Sequence, residues 1–174
     1  MCRFKGGIVM WLNFLWLPIL FIIHDFEEII FVPMWIKKHT KVLEKKNRPL
    51  FGGITNSAVF SVGVVEEFIL LVVISLYGMI HPGGALYFGA GIAYVIHLFL
   101  HLIFCIQYHS YVPGVVTAFL QIPVMVYLLH EVYASLDCSL PHIVLISCIC
   151  CVLILGNVLC LHQFMHQLTK KAFL

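Results

Sequence analysis

All ten lysines and arginines of this 174-residue chain fall outside five long apolar runs, roughly residues 8–34, 53–80, 84–107, 112–134 and 141–166. A run of about 20 apolar residues is what an α-helix needs to cross the hydrocarbon core of a bilayer. Inside that core only helices and closed barrels satisfy their own backbone, and runs this long read as helices. The breaks are "KKHTKVLEKKNR", "HPGG", "YHSYVPG" and "SLDCSLP". These are charge clusters and Pro/Gly turn signals, which end helices. Composition agrees: 62% of residues are hydrophobic and 10% charged, against about 25% charged in a soluble domain. The expected fold is all-α, a polytopic membrane bundle of about five helices forming a single domain over residues 1–174.

The cations also orient the chain. Six lie between Lys37 and Arg48 and two more are Lys170 and Lys171; with five spans these eight share one side. The positive-inside rule makes that side cytoplasmic and puts the N-terminus outside. A signal peptide over residues 8–23 is rejected, because no small-residue cleavage site follows and the next residues are "HDFEE". Seven cysteines form no CxxC pair and suggest neither a disulfide framework nor a zinc knuckle. The expected partners are membrane lipids and a hydrophobic substrate, with no nucleic acid. The basic loop and His39 read as a solvated surface facing anionic lipid.

The exceptions inside the spans carry the chemistry. Asp25, Glu27, Glu28, Glu66, Glu67 and Glu131 have no lysine or arginine in any span to pair with. A charge at the bilayer centre costs about 2.5–3.5 kcal/mol on the most lenient scale, so something must compensate them. Histidine is the available partner. His24, Glu27 and Glu28 stand at i, i+3 and i+4, on one helix face, and His97 and His101 at i and i+4 on another. At 1.5 Å per residue, Glu27 lies about 15 Å, Glu66 and Glu67 about 18–20 Å, and His97 and His101 about 10–17 Å from the cytoplasmic end of their spans. His130 and Glu131 fall at about 27 Å, near the outer interface, and are left out.

Glu and His converging at helical spacing inside a bundle is how dinuclear carboxylate metal sites are built. The expected ligands are His24, Glu27, Glu28, Glu66, Glu67, His97 and His101. Asn56, His109, His162 and His166 are further candidates. Adjacent glutamates point about 100° apart, so one of each pair can orient rather than ligate. Asp25 points away from the His24 face and reads as a supporting or capping group. Tyr94 and Tyr108 share the His97–His101 stripe as hydrogen-bond partners or site walls. Oxygen and nitrogen ligands without thiolate favour iron, manganese or zinc, and seven ligands exceed the four of one tetrahedral zinc, so two divalent ions are expected.

"HDFEE", the later "EE" and "HLFLH", in that order, resemble the HxxEE family of small bacterial membrane proteins. The resemblance spans about residues 10–165 and implies an integral, metal-dependent enzyme in the bacterial inner membrane. That family's pattern also has an Asn shortly before the second EE. Here the residue four before Glu66 is Val62, and Asn56 lies ten before it. The expected function is therefore a membrane metalloenzyme acting on a lipid-phase substrate, with oxidative di-iron chemistry favoured slightly over hydrolysis. A metal-ion or proton-coupled transporter is the alternative, since intramembrane Glu and His also mark transport paths.

Overall fold

The computed structural model describes residues 7–43 and 50–172. They form five α-helices: α1 (Gly7–Leu43), α2 (Ser57–Ile80), α3 (Ala85–Tyr108), α4 (Val115–Tyr133) and α5 (Leu140–Ala172), with a short 3-10 turn at Leu50–Gly53 before α2. Among the described residues, α2, α3, α4 and Leu140–Gln167 of α5 are long and apolar enough to cross a membrane. The chain is an all-helical membrane protein. The first helix differs in carrying Asp25, Glu27 and Glu28 near its middle.

Three helices, α2, α3 and α4, begin and end within four residues of the expected spans; α1 overruns the end of its own by nine residues and α5 by six. The segment "KKHTKVL" continues the helix because nothing in it breaks one, and Lys37, Lys38 and Lys41 project outward, exposed. Pro18 and Pro33 lie within α1 without ending it. At 37 residues the helix is about 55 Å long, well over a hydrocarbon core of about 30 Å. The turn of α1 that follows Pro33 is pinned sideways: Trp35 stacks on His39 and donates its indole N–H to Tyr111 O at 2.6 Å.

Packing runs α1 on α2 and α4, and α3 on α4 and α5, with α2 closing against α5. The α3–α5 contact is close because Gly89 has no side chain; a Cβ there would stand 3.2 Å from Ser147 Cα. The shared core includes Leu17, Val32, Tyr87, Ala90, Leu98 and Met125. Outward faces are equally apolar, as with Val62, Val65, Ile69 and Val73 on α2. A soluble monomer rarely exposes apolar patches beyond a few hundred Å², whereas lipid is the natural solvent for such a surface. In α5 only 11% of the spanning window is buried, against 33–39% in α2, α3 and α4, so the last helix sits at the rim of the bundle.

Candidate metal centre

Four of the seven expected ligands meet at one point. His24 and Glu28 from α1 and His97 and His101 from α3 each offer a ligand atom, and those atoms lie within 4.8 Å of one another. His24, Glu28 and His101 are almost fully buried. Glu28 Oε1 stands 3.0 Å from His101 Nε2 and 3.7 Å from His24 Nε2. The two Nε2 atoms of His97 and His101 are 3.2 Å apart.

Hydrogen bonds on the far side of each ring settle which nitrogen faces the cluster. His101 Nδ1 is 2.8 Å from Pro113 O, a carbonyl that can only accept. Its proton is therefore on Nδ1, and in the neutral ring Nε2 presents a lone pair. His24 Nδ1 is 2.8 Å from Thr117 Oγ1. The Thr117 hydroxyl donates at 2.6 Å to Glu27 Oε2, with Gly114 O at 3.2 Å as the other acceptor in reach. It must accept from His24, so His24 Nε2 is also a bare lone pair. That atom and Glu28 Oε1 are buried and have no hydrogen-bond partner.

A His24 lone pair, a His101 lone pair that, among donors, only His97 Nε2 approaches, and a carboxylate oxygen thus converge, and no donor reaches His24 Nε2. Ligand atoms on a tetrahedral ion, at bonds of about 2.0–2.1 Å, stand about 3.3 Å apart, close to three of the separations here, 3.0, 3.2 and 3.7 Å, within a group that spans up to 4.8 Å. The donor set fits a divalent ion. A proton on His101 would satisfy the contact to Glu28 and leave His24 Nε2 with nothing.

The turn joining α3 to α4 is built on these rings. Gly114 has φ +86°, and a Cβ there would lie 2.7 Å from His101 Nδ1 and 2.9 Å from His24 Cε1. Gly114 also caps α4 without a side chain, leaving the first amides of that helix to find a partner elsewhere. Glu27 supplies it from α1. Its carboxylate accepts from Thr117 N at 2.8 Å, Val116 N at 3.4 Å, the Thr117 hydroxyl, and Tyr111 OH at 2.7 Å. Negative charge at a helix N-terminus is favourable. Burial first, and the Glu27 carboxylate second, push the pKa of the Tyr111 phenol up, which keeps it a donor. Glu27 spends its oxygens on the turn and reaches the cluster only through Thr117 and His24.

The second glutamate pair lies across the bundle. Asn157 of α5 donates its amide to Glu66 Oε2 at 2.9 Å and Glu67 Oε1 at 2.8 Å. Glu66 is exposed and Glu67 buried. Between this pair and the histidines runs a cavity of about 50 Å³ lined by residues of α1, α2, α3 and α5, among them Asp25, Glu28, Glu67, Tyr94, His97 and His162. Asp25, expected to point elsewhere, is buried on this cavity. Its Oδ2 has no partner.

The other candidates are placed as follows. Asn56 is the N-cap of α2, accepting from Ala58 N at 2.9 Å. His109 closes α3 in a left-handed conformation, φ 48°, with an exposed side chain. His162 stacks on Phe60 and lines the cavity, while His166 is half-buried further along α5. Tyr94 donates to Gln121 at 2.7 Å.

A family model described as "Protein of unknown function with HXXEE motif" matches residues 15–128. This chain belongs to the HXXEE family. The matched segment holds most of α1, all of α2 and α3 and most of α4, hence all four clustered residues, and ends before α5. No curated protein matches the chain, and no solved structure does.

Sequence reasoning missed Thr117, Pro113, Gly114 and Asn157. The signal for the first three lies in "YVPGVVT", a turn followed by a threonine in the first turn of a helix. Asn157 stands as a lone amide in the apolar run "ILGNVL".

Proposed function

We propose that this HXXEE protein is a membrane metalloenzyme whose ion is held by His24, Glu28, His97 and His101. The observation that carries the reading is the bare His24 nitrogen beside a buried carboxylate oxygen, with the Nε2 atoms of His101 and His97 closing the same group. A bound ion would supply a Lewis acid or a redox centre to the adjacent cavity. The chain's own residues hold and orient it: Thr117 and Pro113 fix two ring tautomers, and Glu27 fixes Thr117. Hydrogen-bonded supports of this kind commonly tune metal affinity.

The cavity favours oxidation, with dioxygen as oxidant and iron as metal, over hydrolysis of a phosphate or carboxylate ester. Its walls are mostly apolar and carry no lysine or arginine to hold an anionic group. The second ion of the dinuclear reading belongs to Asp25 and Glu67, which line the cavity beside Glu28. A carrier would need polar groups strung along the membrane normal, and here they gather at one level. The orientation that accompanies this reading puts residues 44–48 in the cytoplasm and Asp137 outside. Reporter fusions at the two places should report opposite sides.

The deciding experiment is metal analysis of protein purified in mild detergent. Iron, manganese or zinc should copurify at about two atoms per chain, and His101→Ala should lose the metal. A wild-type preparation without metal would sink the enzyme reading and leave a proton carrier as its successor.

A further inference from the structure

The cavity has a shape as well as a location. Its lining on α2 runs from Phe60 to Leu71, eleven residue steps or about 16 Å along the helix axis. On α5 it runs from Ile154 to Met165, the same length in the opposite direction. Two pairings fix the relative height of the two walls. Asn157 meets Glu67 at 2.8 Å, and His162 stacks on Phe60. Spread over about 16 Å, a volume near 50 Å³ admits a single file of methylene-sized groups and excludes a ring system.

Chemistry changes along this bore. One end is walled by Phe21, Leu71, Ile154 and Leu155, the other by Phe60, Leu161, Met165 and the ring of His162 stacked on Phe60. Asp25, Glu28, Glu67 and His97 stand between the two apolar stretches. A headgroup fares badly here: an anionic one finds no lysine or arginine on the wall, and a cationic one would compete with the proposed ion for the three carboxyl groups at its centre. An anionic headgroup would be repelled at that centre and left unpaired at either end. An alkyl chain meets no such penalty, since apolar side chains and lipid tails solvate a methylene alike.

We infer that the cavity is a slot for one unbranched alkyl chain, which it presents to the histidine–glutamate group by an interior carbon and not by its head. This deepens the metalloenzyme reading and rests on it for the meaning of the site, though the slot itself is tested separately. The slot lies along the α2–α5 seam. Outward of that seam are lipid-facing residues such as Val65 and Ile69, so a chain aligned with the bilayer's own chains has the shortest way in. The only polar bridge over the seam among the described residues is Asn157 with Glu66 and Glu67.

The test is photolabelling of the full chain in liposomes, with three probes: hexadecanol carrying a diazirine at mid-chain, the same alcohol with the diazirine at its terminal carbon, and a sterol diazirine. Exposed Glu66 should be labelled by all three and serves as the reference. Glu67 should be labelled by the mid-chain probe at least fivefold more than by the sterol, with the terminal probe marking apolar ends such as Leu71 or Met165. Val64→Trp, which fills the bore, should remove most Glu67 labelling, whereas Ile69→Trp on the lipid face should leave it intact. Val158→Phe repeats the block from α5, and thermal unfolding checks that each variant is folded. Equal labelling of Glu67 by the sterol, or labelling untouched by both blocking variants, overturns the slot. Slot labelling in a preparation without metal keeps the slot and defeats the metalloenzyme reading instead.

Discussion

The cavity has two kinds of wall. On the side of α1, α3 and the start of α4, the groups behind the cluster are tied down: Glu27 takes four hydrogen bonds, Thr117 makes contacts to three residues, and Gly114 leaves no room for a methyl group. On the side of α2 and α5, long apolar stretches are bridged at one level by a single amide, Asn157. The first wall can hold ligand atoms within fractions of an ångström. The second is held mainly by side-chain packing, which has no preferred direction. Precision and access are thus assigned to different helices, and substitutions on the two sides should differ in what they damage.

The largest effect is expected at Gly114. Gly114→Ala would place Cβ 2.7 Å from His101 Nδ1 and force a left-handed alanine, worth about 1–2 kcal/mol alone. Neither histidine ring can withdraw without leaving its Nδ1 partner. Metal content should fall below a tenth of wild type, with a clear drop in thermal stability. An Ala variant that keeps its metal would mean that the turn does not position the rings.

Thr117→Val should come next. It removes the hydroxyl that joins Glu27 to His24, freeing the His24 ring to rotate or change tautomer. Loss of such a support costs roughly 10–100-fold in metal affinity, measurable by competition with a chelator. Thr117→Ser keeps the hydroxyl and should restore most of it. If Val and Ser variants bind metal equally, the hydrogen-bond relay has no part in ligand orientation.

On the other wall the same type of change should spare the ion. Asn157→Leu removes the amide from two glutamates and leaves buried Glu67 unpaired, a cost of about 1–3 kcal/mol. Thermal stability should drop while metal at the histidine group stays within about twofold. A change there as large as that of Thr117→Val would erase the contrast between the walls.

What could be read from the sequence divides along the same line. The spans were legible because apolar length is a local property, and the ligand stripes because i, i+3 and i+4 spacing places side chains on one face whatever lies opposite. His24, Glu28, His97 and His101 follow from spacing and depth together. Glu27 shares their stripe, yet its carboxylate is turned to the start of α4 by four donors, three of them backbone or side chain of residues 116 and 117. No feature of "HDFEE" itself could show that, because the donors come from about ninety residues away. Asp25 was misdirected for a related reason. Its helical phase is offset from His24, but a cavity bounded by four helices is wide enough to receive both. Asn56 shows the opposite error, in which local capping chemistry outranks a distant site: its side-chain oxygen accepts from the first amides of α2.

The smallest effect separates true ligands from histidines that merely lie nearby in sequence. His109 is two turns beyond His101, but α3 ends there in a left-handed residue with its ring exposed. A glycine is the natural occupant of that position. His109→Gly should therefore leave metal content unchanged and raise stability by up to about 1 kcal/mol, the left-handed strain relieved (about 1–2 kcal/mol) less glycine's extra unfolded-state entropy (about 0.5–1 kcal/mol). Metal analysis and thermal unfolding on one preparation read both quantities. Loss of metal in His109→Gly would bring the end of α3 into the site and enlarge the wall that holds the ion.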